Sequence, residues 1–253
     1  MARSRPVPTY IPPAQVFASI VDGARLFARA PVPSMAFSAT FAIIGIVLLT
    51  TVIRLGFAPM TVPLIGGFML VAPSLLAGFF AIARAVREGR RPGFRDITRG
   101  FRNTSRDLWG LLLVCGFLFV IWITDAGILY SFMVGGRDAS GALFPLSGIV
   151  LRYQFGAAVA GGFFALIVFC VTVYAVPLII DRRENLVVAV NASVRAVFRS
   201  FIANALWAVL LGAVVIASVI IPLLLTVTLP IAAYATESLY RAVFPAEGGA
   251  AKQ

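Results

Sequence analysis

The chain has 253 residues, of which 60% are hydrophobic and 12% charged, and its mean hydropathy is +0.98. Soluble domains run near 45–50% apolar and about 25% charged, so the excess apolar surface must face lipid, which excludes a soluble enzyme, a disordered basic tail and a disulfide scaffold. The net charge of +11 sits in short arginine clusters between apolar runs, not spread over one solvated face, so no nucleic-acid partner is expected.

The N-terminal segment, 1–34, carries Arg3 and Arg5, but Pro6, Pro8, Pro12 and Pro13 follow where a signal peptide needs an unbroken apolar stretch. No cleaved leader is expected. From 14 to 30, Val16, Phe17, Ile20, Val21, Ala24 and Phe27 fall on one side of a helix, and Gln15, Ser19, Asp22, Arg25 and Arg29 on the other. That pattern suits a helix lying in the headgroup plane.

Five stretches then reach the roughly 20 apolar residues needed to span a bilayer: 35–53, 61–83, 108–130, 155–180 and 202–229. The fold class expected is therefore all-α, a multi-pass transmembrane helical bundle of about five spans forming one integral membrane domain. The last stretch is too long for one straight span, so it bends at Pro222 or leaves the membrane near Pro230. The residues from 230 to 253 are read as a C-terminal segment whose side and depth the few charges in it do not settle. A weaker amphipathic helix is expected from Leu186 to Phe201, with Val190, Val194, Val197 and Phe201 on one stripe and Asn191, Arg195 and Arg199 beside it. The basic elements ahead of the spans beginning at 35, 108 and 202 suggest a recurring unit of interfacial helix plus inbound span. The Gly/Ser-rich connection 135–148 reads as an external loop, and the tail 246–253 as frayed.

Basic residues accumulate in cytoplasmic loops. A cytoplasmic N-terminus puts Arg3, Arg5, Arg25, Arg29, Arg84, Arg87, Arg90, Arg91, Arg95, Arg99, Arg102, Arg106, Arg182, Arg183, Arg195 and Arg199 on the inner side. It leaves Arg54, Arg137, Arg152 and, after five spans, Arg241 and Lys252 outside. The eight arginines from Arg84 to Arg106 are the strongest charge feature and the candidate contact site, either for anionic headgroups or for an acidic partner. Topology enforcement and snorkelling from helix ends explain them equally well.

Ionisable groups within spans mark function because each costs several kcal/mol. The ten acids are Asp22, Glu88, Asp96, Asp107, Asp125, Asp138, Asp181, Glu184, Glu237 and Glu247, and none is expected near the middle of a span. Asp125 comes nearest, close to the outer end of the third. This argues against proton-coupled transport. The chain has no histidine, which removes imidazole ligands and His-based acid/base chemistry. Cys115 and Cys170 lie on different spans and read as buried apolar residues. No metal, no cofactor and no catalytic residue is expected.

Pro63, Pro73, Pro177 and Pro222 interrupt the apolar runs and are read as kinks. Small residues line the fourth span (Gly156, Ala157, Ala160, Gly161) and the fifth (Ala205, Ala208, Gly212, Ala213). Such faces let helices approach closely, within the bundle or against a membrane partner protein.

The run from Gly67 to Gly89, with Leu70–Pro73 leading through Gly78, Phe79 and Phe80 to Arg84, Arg87 and Glu88, resembles a bacterial integral membrane family, domain of unknown function 2189. A second mark is C-terminal, where Pro230, Tyr240 and Arg241 resemble the family's Pro-x-x-Gly-His-Ala-x-Trp-x-x-Tyr-Arg ending. Here Ala233 replaces the glycine, Tyr234 the histidine and Glu237 the aromatic. The resemblance implies a multi-pass helical fold in the inner membrane and no assigned activity.

The expected function is a non-catalytic inner-membrane protein, an accessory or structural subunit whose basic cytoplasmic face meets anionic lipid or an acidic partner. The alternative is a channel or permease for a small neutral solute, with proline-broken backbone lining the path. An enzyme acting on lipid headgroups would need converging carboxylates, for which Asp181 with Glu184 is the nearest pair.

Overall fold

A computed structural model describes residues 6–56, 60–102, 105–134, 148–182 and 184–245. The loop expected over 135–147, the tail from Ala246, and Arg3, Arg5, Arg137 and Arg183 lie outside the described residues.

Every regular element among the described residues is a helix. Helix α1 (Ala14–Arg29) leads through Ala30 into α2 (Pro31–Arg54), with Pro31 in the first turn, where a missing N–H costs nothing. Helix α3 (Thr61–Arg87) turns back into the short α4 (Phe94–Arg102). Helix α5 (Arg106–Met133) starts at Ser105, whose hydroxyl accepts the Leu108 N–H at 3.3 Å, a side-chain N-cap. Then follow α6 (Gly148–Thr172), α7 (Ala175–Arg182), α8 (Leu186–Arg199), α9 (Phe201–Ile220) and α10 (Leu225–Val243).

Five segments are long and apolar enough to cross a membrane: Pro31–Arg54, Arg106–Met133, Gly148–Asp181, Phe201–Ser218 and Pro222–Val243. Only described residues enter that set. Helix α3, with 27 residues, is about 40 Å long at 1.5 Å per residue and matches the second expected span.

The fifth expected span, 202–229, is corrected by the structure. The helix stops at Ile220, Ile221 leaves helical geometry (φ −127, ψ 85), and Pro222–Leu224 form one 3-10 turn before α10 begins. The single stretch is thus two helices joined by an entirely apolar turn. The residues after 230 belong to the bundle, because α10 continues to Val243 and buries Ala233, Tyr234, Glu237, Leu239 and Tyr240. Pro63 and Pro177 each fall in the first turn of a helix, α3 and α7, and Pro222 opens the 3-10 turn. These prolines therefore sit at helix starts, where their missing donor is tolerated.

Helix α1 runs antiparallel along α10. The Thr9 N–H and hydroxyl both donate to the Val243 carbonyl at 2.9 Å. Further along, a Cβ added at Gly23 would stand 2.7 Å from the Ile231 carbonyl oxygen, so only glycine lets the backbones meet. Helix α1 thus buries Val16, Ser19, Gly23 and Leu26 against the protein and leaves Phe17 and Val21 exposed. The single apolar side expected for it divides between protein and surroundings.

Three apolar clusters form. The largest unites Ile11, Val16, Leu108, Leu111, α7, the buried face of α8 and the ends of α9 and α10. A second joins α1, α3, α4 and α10 through Leu26, Phe79, Ala83, Ile97 and Tyr234. The third, Trp122, Ala126, Val150, Tyr153 and Ala157, ties α5 to α6.

Candidate functional site: the arginine-rich end

The ends of α3, α6–α7 and α10 converge with α1, α4 and α8 at the basic end of the bundle. Helix α3 closes with Glu88 and then Gly89 at φ +70. The Arg90 N–H reaches the Ala85 carbonyl at 3.0 Å, and the Gly89 N–H reaches that of Val86 at 3.1 Å. This is a Schellman stop, which needs a residue at ease with positive φ. It reverses the chain, so α4 returns beside α3 with Ile97 buried and the Phe101 ring 6.1 Å from Phe37.

The eight candidate arginines divide into two groups. Arg84 Nη2 lies 3.5 Å from Asp181 Oδ1, whose other oxygen accepts from the Tyr240 hydroxyl at 3.3 Å. Arg87 Nη1 donates to Glu237 Oε1 at 2.9 Å, and Arg241 donates to the same oxygen through Nη2 at 2.9 Å and Nε at 3.2 Å. Arg90 bonds Glu88 at 2.6 Å and Asp96 at 3.2 Å. These three pair within the fold, although the Arg84 and Arg90 side chains stay 56% and 51% exposed. Arg91, Arg95, Arg99, Arg102 and Arg106 are exposed and enter no ion pair among the described residues. On α4 they accompany the exposed Phe94 and Phe101.

The Asp96 carboxylate accepts the Gly93 N–H at 2.9 Å. That bond, followed by the Arg90 guanidinium, holds its pKa below the ordinary value. The carboxylates of Glu88 and Asp96 in turn raise that of Arg90.

Glu237 overturns the expectation that no acid is buried within a span. Its side chain is 6% exposed against 32% for Arg87 and 50% for Arg241, and its helix is one of the membrane-crossing candidates. Burying a carboxylate is costly unless paired, and both guanidinium groups fall on Oε1, leaving Oε2 without a hydrogen bond. The (i, i+4) spacing of Glu237 and Arg241 is the signal available in the sequence. Arg87, 150 residues away, leaves none.

Because Arg87 and Arg241 share one carboxylate oxygen, Arg241 belongs to the same end as Arg84–Arg106, contrary to its expected place on the opposite side. Other polar groups also serve the fold. Asp107 Oδ1 accepts the Leu186 N–H at 3.1 Å, capping α8 where Asn185 makes no side-chain cap. Asp181 is taken by Arg84 and Tyr240. Asp125 is exposed on α5 and enters no ion pair among the described residues, Cys115 is buried and Cys170 half-buried. Among the described residues no three His, Cys, Asp or Glu side chains group so as to hold a metal ion.

The small-residue faces are used inside the bundle at two points. Gly161 faces the Trp122 ring at 2.8 Å from where its Cβ would stand, and Gly156 faces Leu129. Gly162 and Gly212 meet nothing within 4 Å.

Two of the three departures from the resembled ending, Tyr234 and Glu237, carry buried polar bonds. The Tyr234 hydroxyl lies 2.6 Å from Ser34 Oγ, its ring edge-on to Phe79, and Glu237 holds the two arginines. No curated protein and no solved structure matches the chain. A family model does match, over residues 61–181, covering α3 to α7 and the first of the two sequence marks but not the C-terminal one. The model is that of a family described as a predicted integral membrane protein, domain of unknown function 2189, and the likeness is confined to that segment.

Proposed function

We propose that the protein is a non-catalytic component of the bacterial inner membrane with a cytoplasmic N-terminus, acting as an accessory or structural subunit. Its unpaired arginines grip anionic headgroups or an acidic partner protein. One observation carries this reading: α4 presents Arg95, Arg99 and Arg102 beside exposed Phe94 and Phe101 while its one buried residue, Ile97, anchors it to α3. Basic and aromatic residues together on a short amphipathic helix suit the headgroup boundary, and each arginine there is worth about 1 kcal/mol of attraction to an anionic leaflet. The clustering of basic groups at one end supports the orientation. A permease for a neutral polar solute draws little support, since the cavities between the helices are lined almost wholly by apolar side chains.

The test is extraction in a mild detergent, followed by mass spectrometry of what stays attached. Wild type should carry a stoichiometric protein or anionic-lipid complement that the Arg95→Gln/Arg99→Gln/Arg102→Gln variant loses. A bare monomer at every detergent strength, with the variant indistinguishable, would overturn the proposal.

A further inference from the structure

A crevice between α6 and α9 encloses a cavity of about 160 Å³, with α5 beside it and α3 and α10 as its floor. Leu118, Phe164 and Val168 face Leu211, Val214 and Leu229 across it. Two hydroxyls reach it, but Thr172 donates to the Val168 carbonyl at 2.7 Å and Thr236 to that of Ala232 at 2.8 Å. Neither donor is free to hold water. Apolar cavities of this size stay dry and accept hydrocarbon guests. The cavity is partly open, and around it Phe163, Leu166, Val209 and Ile216 stand 50–68% exposed. In a membrane the medium outside is acyl chain.

Helix α8 crosses the basic end of both walls. Ser193 Oγ donates to the Cys170 carbonyl on α6 at 2.8 Å, and Asn204 on α9 reaches the Ala196 carbonyl at 3.4 Å. The outward side of α8 carries Arg195 and Arg199, both exposed and in no ion pair among the described residues, with Phe198 and Val187 exposed beside them. The helix has no acidic residue. Guanidinium groups bind phosphate oxygens through paired hydrogen bonds.

We propose that this crevice is a binding site for one anionic phospholipid, with an acyl chain between α6 and α9 and the headgroup phosphate on Arg195 and Arg199. The site is separate from α4 and stands whether or not the α4 surface meets a partner. The full chain is reconstituted in nanodiscs of equal phosphatidylglycerol and phosphatidylcholine, released, and examined by native mass spectrometry. One retained phosphatidylglycerol per chain is expected. Arg195→Gln/Arg199→Gln, which leaves the core untouched, should reduce its retention about thirtyfold, given about 1 kcal/mol per arginine at the surface. Val214→Trp should abolish it by filling the crevice, while the α4 triple variant should retain it. Equal retention of phosphatidylcholine, no retained lipid in wild type, or unchanged retention in the glutamine pair would each overturn the assignment. If Val214→Trp does not fold, the glutamine pair decides alone.

Discussion

The basic end and the far end of this bundle are built on different terms. At the basic end, helices α1, α7, α8 and the last half of α10 bury each other's side chains, and several buried polar groups there bond one another. The Tyr174 hydroxyl donates to Asn204 Oδ1 at 2.6 Å, and Asn204 Nδ2 returns a bond to the Ser200 carbonyl at 3.0 Å. The Ile11 N–H donates to Ser200 Oγ at 3.0 Å. Toward the far end, the turn after α9 is apolar and exposed, and α2, which runs toward it, has only 11% of its span buried against 50% for α10. Water forces an end that meets it to hide apolar area within the protein. Lipid makes no such demand, so helices there associate only through local packing and occasional hydrogen bonds.

Substitutions can break or sharpen that contrast. The largest effect is expected from Gly23→Val, whose branched side chain would meet the α10 backbone at Ile231 and Ala235 and cost about 3 kcal/mol. Protease susceptibility of α1 in detergent would report it, and wild-type resistance would mean that the α1–α10 contact is dispensable. Next, Glu237→Ala removes the shared acceptor of Arg87 and Arg241 at a cost of about 2 kcal/mol, typical for charged hydrogen bonds. A lowered unfolding midpoint, recovered in part by adding Arg87→Met, would check it. At the far end, Ser38→Ala deletes a 2.8 Å bond to the Leu225 carbonyl and should cost only about 0.6 kcal/mol, the average found between membrane helices. A loss as large as that of Glu237→Ala would erase the contrast.

The smallest effect is a pH dependence of the α3–α4 turn. The Asp96 carboxyl is depressed below its ordinary value of 3.8. Its stabilisation is therefore complete above that value and is lost as the pH falls through the lowered one. Backbone hydrogen exchange at Gly93 should rise, beyond its intrinsic rate, only on acidification below pH 4. In Asp96→Asn that pH dependence should vanish.

Hydropathy makes the spans legible, because 20 apolar residues in a row have few other uses. The outward stripe of α8, with Asn191, Arg195 and Arg199, is legible for the same reason: period and polarity agree. The break after Ile220 is legible only in part: Pro222 marks a bend, but the turn and both flanks are apolar and no polar residue shows that a second helix starts there. Helix α10 is hidden in the opposite way, because Glu237 and Arg241 lower its apolar score although their charges are matched inside the fold. Two of the eight arginines are illegible in the same way. Arg84 and Arg87 look like Arg95 and Arg99 in composition and spacing, and only contacts across some 100–150 residues separate those consumed by the fold from those left over.

The pairing of α1 with α10 also bears on biogenesis. Helix α1 finds its principal neighbour in α10, more than 200 residues later. At 5–20 residues per second the wait is roughly 10–40 s, and through it Val16 and Leu26 have no home. Insertion factors or chaperones at the membrane would have to shelter α1 until α10 emerges.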